Sequence, residues 1–236
     1  TVDLVLTDPY TPHPRNHWAE PELTPVVDAI RANAALRTRV DALRLRFLSH
    51  PQALLHGDLH TGSIMTTETD TRVIDGEFAT YGPIGFDAGL FIANLVLSLF
   101  ASPTASKNTL HTSMIAGFWQ AFEQTFLALW QNQPTPQDPA VHYYATTLGS
   151  KSQTEKQAFL NSIIQDTLGF CGTEIIRRII GYAHVPDFTA LPDTAQQAQR
   201  KKAALHFAAA CLSPAYPLTS VQDFLSLLAE QTQALP

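Results

Sequence analysis

The sequence has few basic residues. Its 236 residues include 15 Lys and Arg against 21 Asp and Glu, for a formal net charge of −6 at pH 7. Proteins that bind the nucleic-acid backbone need clustered cations. The one basic run, Arg200-Lys201-Lys202, is short and indicates a solvated helix face. We therefore expect no nucleic-acid partner.

Cysteines and long apolar runs are also scarce. The two cysteines, Cys171 and Cys211, lie far apart and form no Cys-x-x-Cys pair, which favours buried thiols in a reducing compartment, the cytoplasm. The longest apolar run, 84–100, is interrupted by Asp87 and Asn94. It predicts a buried core helix and no membrane partner.

Most of the chain carries apolar residues at helical spacing, and 45% of its residues are hydrophobic, enough for a core. Helices are predicted over the segments 22–47 with a break near Asn33, 84–100, 111–131, 155–183, 195–212 and 218–234. The aromatic stripe within 111–131 is typical of core packing. Pro134, Pro136 and Pro139 end that helix, because proline does not fit a helix interior.

Three carboxylates stand in two polar turns between the predicted helices. A short extended segment at 53–55 leads into the first turn, His56-Gly57-Asp58-Leu59-His60-Thr61-Gly62-Ser63. Ile64-Met65 then enters a predicted hairpin, which returns through Val73-Ile74 to the second turn, Asp75-Gly76-Glu77-Phe78. We call these the catalytic turn and the acid turn.

This arrangement is typical of phosphoryl transfer. One carboxylate orients the attacking hydroxyl and accepts its proton, and others hold Mg²⁺ against the phosphates of ATP. We predict the first role for Asp58 and metal binding for Asp75 and Glu77, which point to the same side of an extended segment. The alternatives are that Asp58 caps the segment after it, and that Asp75 and Glu77 form a solvated hairpin tip.

Four further residues are candidates for supporting or binding roles. His56 and His60 are predicted to hold the catalytic turn by hydrogen bonds, and Asp87 either caps the helix it begins or accepts hydrogen bonds from that turn. Arg177 and Arg178 interrupt an apolar helix, where an unpaired cation is costly. They should therefore meet a carboxylate or a bound anionic or hydroxyl-rich ligand.

These motifs resemble those of the methylthioribose kinase family, within the aminoglycoside phosphotransferase and choline kinase superfamily. The resemblance rests on His60-Thr61-Gly62-Ser63, Asp75-Gly76-Glu77-Phe78, Tyr81-Gly82-Pro83-Ile84-Gly85-Phe86-Asp87, Thr7-Asp8-Pro9-Tyr10, Asn16-x-Trp18 and the segment 174–185. The wider superfamily usually has Asn as a metal ligand where Ser63 stands, and the kinases that this chain resembles use Ser there with Glu77 as the replacement ligand. Gly76 departs from the usual Pro of the family.

The resemblance implies a mainly α (α+β) fold, the C-terminal helical lobe of a protein-kinase-like fold with a small β-hairpin that carries the catalytic and metal turns. Residues 1–236 would form this lobe, with the N-terminal nucleotide-binding lobe absent from the chain. The implied reaction is ATP-dependent phosphorylation of the C1 hydroxyl of 5-methylthioribose in methionine salvage, with Mg²⁺ as cofactor, in a homodimer.

The resemblance also implies roles for individual residues. Asp58, Arg177 and Arg178 would contact the sugar, and the two arginines would also reach the transferred phosphoryl group. Ser63 would add a metal or phosphate contact, and Asp87 would support the catalytic turn.

Three rival functions remain open at this point. His56, Asp58 and His60 alternate along the chain and could bind zinc in a metal hydrolase. A kinase for an aminoglycoside, choline or homoserine is a second alternative, which the twin arginines disfavour because those acceptors are mostly cationic. The third is a non-catalytic remnant or binding module.

Overall fold

The computed structural model of the chain describes residues 1–101, 105–131, 153–191 and 194–233. The described part is mainly helical and contains two short antiparallel strand pairs. The proline-bearing segment 132–139 lies outside it. The helices and strands are α1 (Val2–Leu6), α2 (Thr24–Ala32), α3 (Ala34–Ser49), β1 (Ala53–Leu55), β2 (Ile64–Thr66), β3 (Thr71–Val73), β4 (Thr80–Gly82), α4 (Gly85–Ala101), α5 (Ala105–Gln131), α6 (Gln153–Ile180), α7 (Thr194–Cys211) and α8 (Val221–Gln233).

The predicted break near Asn33 separates α2 from α3. The Asn33 side chain accepts a hydrogen bond from the Leu36 backbone N–H (3.0 Å), so it caps the start of α3. Val27 and Leu36 are fully buried on the inner faces of the two helices. The predicted break near Asn33 is confirmed.

Helices α4 and α6 form the centre of the core. Phe86 and Phe170 are fully buried and meet edge to face, with ring centroids 5.1 Å apart. The helices approach closely because two glycines of α4 lie against the α6 backbone: a Cβ on Gly85 would be 2.7 Å from the Thr167 nitrogen, and one on Gly89 would be 2.6 Å from the Thr167 oxygen. The apolar run 84–100 is therefore a buried core helix, as predicted.

The strands lie between α3 and α4. β1 pairs with β4, with Leu54 opposite Tyr81, and β2 pairs with β3 in a hairpin, with Ile64 opposite Val73. Unlike the helix pair, these strands leave large apolar side chains in solvent: Leu54 and Tyr81 are each 66% exposed. Since each strand has three residues, the backbone around the two polar turns is held by few ladder hydrogen bonds.

Two predictions about charged and aromatic side chains need correction. Arg200 is buried and donates a hydrogen bond from Nη1 to the carbonyl oxygen of Phe100 (3.0 Å), so the basic run is not simply a solvated face. In α5 the core assignment holds for Ile115 and Trp119 but not for Leu129, which is 61% exposed.

The two cysteines are free and buried, as predicted. Burial is the largest cause that raises the pKa of the Cys171 and Cys211 thiols well above the ordinary value. Both thiols therefore stay protonated. In the part of the chain that the structure describes, no helix is long and apolar enough to cross a membrane.

Candidate active site

The second residue of the catalytic turn has a conformation that requires glycine. Gly57 has a φ of 86°, in the left-handed region that side chains rarely adopt. A Cβ at this position would overlap with the carbonyl oxygen of Phe78 in the acid turn. Glycine therefore lets the two turns touch.

Asp87, in the first turn of α4, binds the backbone of the catalytic turn. Its carboxylate accepts hydrogen bonds from the backbone N–H groups of His56 (2.6 Å) and Gly57 (3.0 Å). Burial raises the pKa of Asp87, and the two hydrogen bonds oppose that shift. Of the two roles considered for Asp87, these contacts are those of the second, hydrogen bonding to the turn.

His56 links the catalytic turn to the strand before the acid turn. Its Nε2 lies 2.7 Å from the carbonyl oxygen of Ile74, and because a carbonyl only accepts, Nε2 carries the proton. The Ile74 N–H in turn donates to the Ser63 carbonyl oxygen (2.9 Å). The backbone of Ile74 is thus held on both sides by the catalytic turn.

His60 and Ser63 close the other end of the catalytic turn. His60 Nδ1 accepts a hydrogen bond from the Gly62 backbone N–H (3.0 Å). The Ser63 side chain is buried, and its Oγ donates to the Asp58 carbonyl oxygen (3.3 Å). Ser63 therefore fixes the backbone of Asp58, and its hydroxyl faces inward.

The acid turn exposes both of its carboxylates. Asp75 has a φ of 69°, a left-handed conformation that Asp tolerates, and residues Gly76–Phe78 form one turn of 3-10 helix. Asp75 and Glu77 are exposed. They make no ion pair with any other described residue. Two exposed carboxylates in one turn suit Mg²⁺, which usually binds one or two carboxylates, water and the phosphate oxygens of a substrate.

No group of three or more His, Cys, Asp and Glu residues that could hold a metal occurs within the described ranges. The zinc alternative built on His56, Asp58 and His60 therefore lacks a ligand cluster there. His56 Nε2 and His60 Nδ1 are also occupied by backbone hydrogen bonds. His142, a further histidine of the sequence, lies outside the described residues.

Arg177 and Arg178 reach the catalytic turn from α6. Nη2 of Arg177 lies 3.5 Å and Nη2 of Arg178 3.7 Å from Oδ1 of Asp58, whose side chain is 32% exposed. These distances are long for direct hydrogen bonds, so Asp58 does not use up the hydrogen-bond donors of either guanidinium. Both cations face the carboxylate that we predict to be the base.

Glu174 is the partner that sequence analysis did not assign. Its side chain is fully buried and accepts hydrogen bonds from Arg177 Nε (2.8 Å) and Nη2 (2.6 Å), and from Arg178 Nε (2.7 Å). Burial lowers the pKa of Arg177, but Glu174 and then Asp58 outweigh it, and the pKa is raised overall. The sequence does contain a signal for this pairing. Glu174 precedes Arg177 by three residues and Arg178 by four, and residues at these spacings lie on the same helix face.

The arginines therefore have the first of the two partners considered for them, a carboxylate. They pair with Glu174 in the core, and they also point toward Asp58. Contact with a bound anionic or hydroxyl-rich ligand stays a prediction.

Comparison with curated proteins gives relatives that share one name. The chain is 38% identical to methylthioribose kinase of Geobacillus kaustophilus strain HTA426 over 233 residues, which cover 99% of this chain and 56% of the relative. It is 39% identical to that of Bacillus cereus strain 03BB102 over 209 residues (87% and 49%) and 41% identical to that of Yersinia pestis strain Pestoides F over 200 residues (82% and 46%). The chain thus spans about half the length of the curated relatives it matches.

A family profile gives an independent assignment. The profile described as the phosphotransferase enzyme family matches residues 4–126, just over half of the chain. The match includes both polar turns and the α4 helix that holds Asp87. The motifs from which the phosphoryl-transfer hypothesis was built thus lie inside the matched region, and the chain belongs to the phosphotransferase enzyme family.

Proposed function

We propose that this chain forms the acceptor-binding lobe of a kinase that transfers the γ-phosphoryl group of ATP to the C1 hydroxyl of 5-methylthioribose, a step of methionine salvage. In this proposal the nucleotide lies between this lobe and a second, β-rich lobe that supplies the phosphate-covering loop and lysine. The two cysteines of this chain are free and buried, which favours the cytoplasm as the compartment of the kinase.

The observation that carries the proposal is the contact between the two turns. His56 and Ser63 bind the backbone of Ile74, next to Asp75, and Gly57 lies against Phe78, next to Glu77. These contacts support a common site for the proposed base and the two proposed metal-binding carboxylates, which in-line phosphoryl transfer needs.

Each residue then has a distinct task. Asp58 orients the acceptor hydroxyl and takes its proton, as a carboxylate with an exposed edge can. Asp75 and Glu77 hold Mg²⁺, which when bound offsets charge on the phosphates of ATP. Ser63 fixes the Asp58 backbone, and any contact it makes with metal or phosphate passes through water because its side chain is buried.

Arg177 and Arg178 favour a neutral, hydroxyl-rich acceptor. Two guanidiniums beside Asp58 compete for its carboxylate with the ammonium groups of choline, aminoglycosides and homoserine, which disfavours these acceptors. The same groups can donate hydrogen bonds to sugar hydroxyls and to the transferred phosphoryl oxygens. The names of the relatives point to the same acceptor class.

An acceptor panel tests the proposal. The chain is assayed alone and fused to the part of the Geobacillus kaustophilus relative that it does not match, with Mg²⁺-ATP and 5-methylthioribose, choline, kanamycin or homoserine. We expect the fusion to phosphorylate 5-methylthioribose best, with ³¹P NMR locating the phosphate on C1.

The other outcomes separate the alternatives. Faster phosphorylation of a cationic acceptor would assign the chain to another small-molecule kinase. A folded fusion that phosphorylates none of the four, yet binds the sugar in calorimetry, would identify a binding module instead of an enzyme.

A further inference from the structure

Glu174 lies fully buried on the α6 face that points to the candidate active site, and the proposed reaction assigns it no task. We propose that Glu174 is a positioning residue, whose carboxylate fixes Arg177 and Arg178 so that each directs one guanidinium nitrogen toward Asp58 and the acceptor bound there. This inference rests on the proposed function and adds a residue to it.

The geometry of the carboxylate supports this task. Oε1 is shared between Arg177 Nη2 (2.6 Å) and Arg178 Nε (2.7 Å), and Oε2 accepts from Arg177 Nε (2.8 Å). Adjacent residues on a helix point about 100° apart, so two neighbouring arginines do not naturally face the same ligand. One carboxylate at the i−3 and i−4 position turns both side chains to the same side.

Near Asp58, Glu174 does not bind Arg178 Nη2, and Arg177 Nη2 lies between Glu174 and Asp58. Arg178 Nη1 is bound to the carbonyl oxygen of Ala183 (3.1 Å), and its Nη2 lies 3.7 Å from Asp58 Oδ1. Arg177 Nη2 lies 3.5 Å from the same oxygen. With Nε fixed in each case, rotation of the planar guanidinium is blocked, and the remaining donors keep one direction.

The negative charge of Glu174 also offsets the positive charge of the two arginines. Arg177 is buried, and two cations side by side in a helix repel each other. Glu174 and Asp58 bring two negative charges to the two guanidiniums, so the cluster is neutral as a whole. Tyr10 packs against the same region: burial, and then the charge of Glu174, raise the pKa of its hydroxyl, which therefore stays protonated.

Two substitutions test the role. Glu174→Gln keeps the shape but removes the charge and replaces an acceptor by a donor, and Glu174→Asp keeps the charge but shortens the reach. In the fusion described above we expect Glu174→Gln to lower kcat/KM for the acceptor about 100-fold through misplaced guanidiniums. The KM for ATP should stay unchanged, and Glu174→Asp should recover part of the loss.

Asp166→Asn is the matched control. Asp166 is also a buried carboxylate of α6, and it pairs with Arg46 of α3 (2.7 Å), a residue to which we assign no part in the candidate active site. Because it loses a buried ion pair, this variant should also unfold at a lower temperature. Its kcat and KM values per folded molecule should equal those of the parent protein.

The activities of these variants distinguish a positioning role of Glu174 from a purely structural one. Equal loss of activity in Glu174→Gln and Asp166→Asn, in proportion to unfolded protein, would overturn the proposal, as would an unchanged acceptor kcat/KM in Glu174→Gln. If Glu174→Gln does not fold, Glu174→Asp is the test. A folded Glu174→Asp with unchanged kcat/KM for the acceptor overturns the proposal. A lower kcat/KM for the acceptor with an unchanged KM for ATP supports it.

A readout without turnover keeps this test separate from the proposed function. NMR exchange of the Arg177 and Arg178 Nε protons with water should be slow in the parent chain and in Asp166→Asn, and fast in folded Glu174→Gln. Slow exchange in Glu174→Gln would show that other groups hold the arginines. Failure of the acceptor panel with fast exchange in Glu174→Gln would remove the substrate assignment and leave the positioning role.

Discussion

The α4–α6 helix pair and the strand region 53–82 differ in how they are held. In the helix pair, Phe86 and Phe170 are fully buried and Gly89 packs against the opposite backbone. In the strand region, three-residue strands leave Leu54 and Tyr81 in solvent. The helix pair supplies core packing, and the strand region is attached to it at few points.

The candidate active site takes one part from each region. Asp58, Asp75 and Glu77 stand on turns of the strand region, whereas Arg177 and Arg178 stand on a core helix. We conclude that function and stability should be separable in the strand region and coupled in the helices. The following predictions test that difference, from the largest expected effect to the smallest.

Asp58→Asn should lower kcat of the fusion by about 1,000-fold, because loss of a general base typically costs 10²–10⁴ in rate. Its free energy of unfolding should change by less than about 1 kcal/mol, since the side chain is partly exposed and its ion pairs are long. Steady-state kinetics and urea unfolding measure the two effects. Asp70→Asn, at the exposed hairpin turn, is the control, and a variant of Asp58 that retains its rate would remove this residue from the mechanism.

Gly89→Ala should lower the free energy of unfolding by about 1–3 kcal/mol, the usual cost of overpacking a core. Its Cβ would lie 2.6 Å from the Thr167 oxygen and 2.8 Å from Phe170 Cβ. The control is Gly117→Ala in α5, where a Cβ meets nothing within 4 Å; it should gain about 0.5–1 kcal/mol from helix propensity. Equal effects at the two glycines would mean that α4 and α6 do not pack this closely.

Asp75→Ala should raise the Mg²⁺ concentration for half-maximal rate by at least about tenfold, since even outer partners of a metal site cost 10–100-fold in affinity. Thermal unfolding should shift only slightly, because Asp75 is exposed and pairs with no described residue, and the remaining cost is that Ala fits the left-handed φ of 69° less well than Asp. The measurement is a Mg²⁺ titration of the fusion at saturating ATP. An unchanged titration would contradict the assignment of Asp75 as a ligand.

Acidification should destabilise the chain through His184, which stacks on His17 with ring centroids 4.0 Å apart. Burial, and next the charges of His17 and Lys201, lower the pKa of His184 from 6.5 to about 4. The unfolded chain therefore takes up the proton first, and stability present above pH 6.5 is lost as the pH falls toward 4. We expect a loss of about 1 kcal/mol, reduced because His184 is half-buried and screened by solvent.

His184→Phe tests this dependence because it keeps an aromatic ring against His17 and binds no proton. Urea unfolding at pH 7 and pH 4.5 should show a smaller loss in this variant than in the parent chain, and the exposed His50→Gln should behave as the parent does. Equal losses in His184→Phe and the parent would assign the acid sensitivity to other groups.

Local patterns in the sequence account for much of this structure. The helical spacing predicts α2 to α4, and the capping side chain of Asn33 explains why the first helical segment divides there. The order of polar residues in the catalytic turn indicates the chemistry, because the roles of Asp58, Asp75 and Glu77 depend on residue type and short spacing.

Long-range contacts are what local patterns miss. Arg200 looks solvated beside two lysines, but it binds the carbonyl oxygen of Phe100, one hundred residues earlier in the chain. The hydrogen bonds from the catalytic turn to Asp87 also span about thirty residues; the residues alone left them as one of two alternatives, and the family resemblance implied them. Glu174 is a different case, since its spacing to the arginines was local and readable.

The two hydrogen bonds that Asp87 accepts from His56 and Gly57 have a consequence for motion. They tie the backbone before Asp58 to the first turn of a helix whose residues are mostly buried. These two amides open only when the half-buried Asp87 carboxylate and the turn move apart, whereas the three-residue β2–β3 ladder opens by local fluctuation. We therefore expect the amides before Asp58 to exchange with solvent more slowly than those of the hairpin beside them.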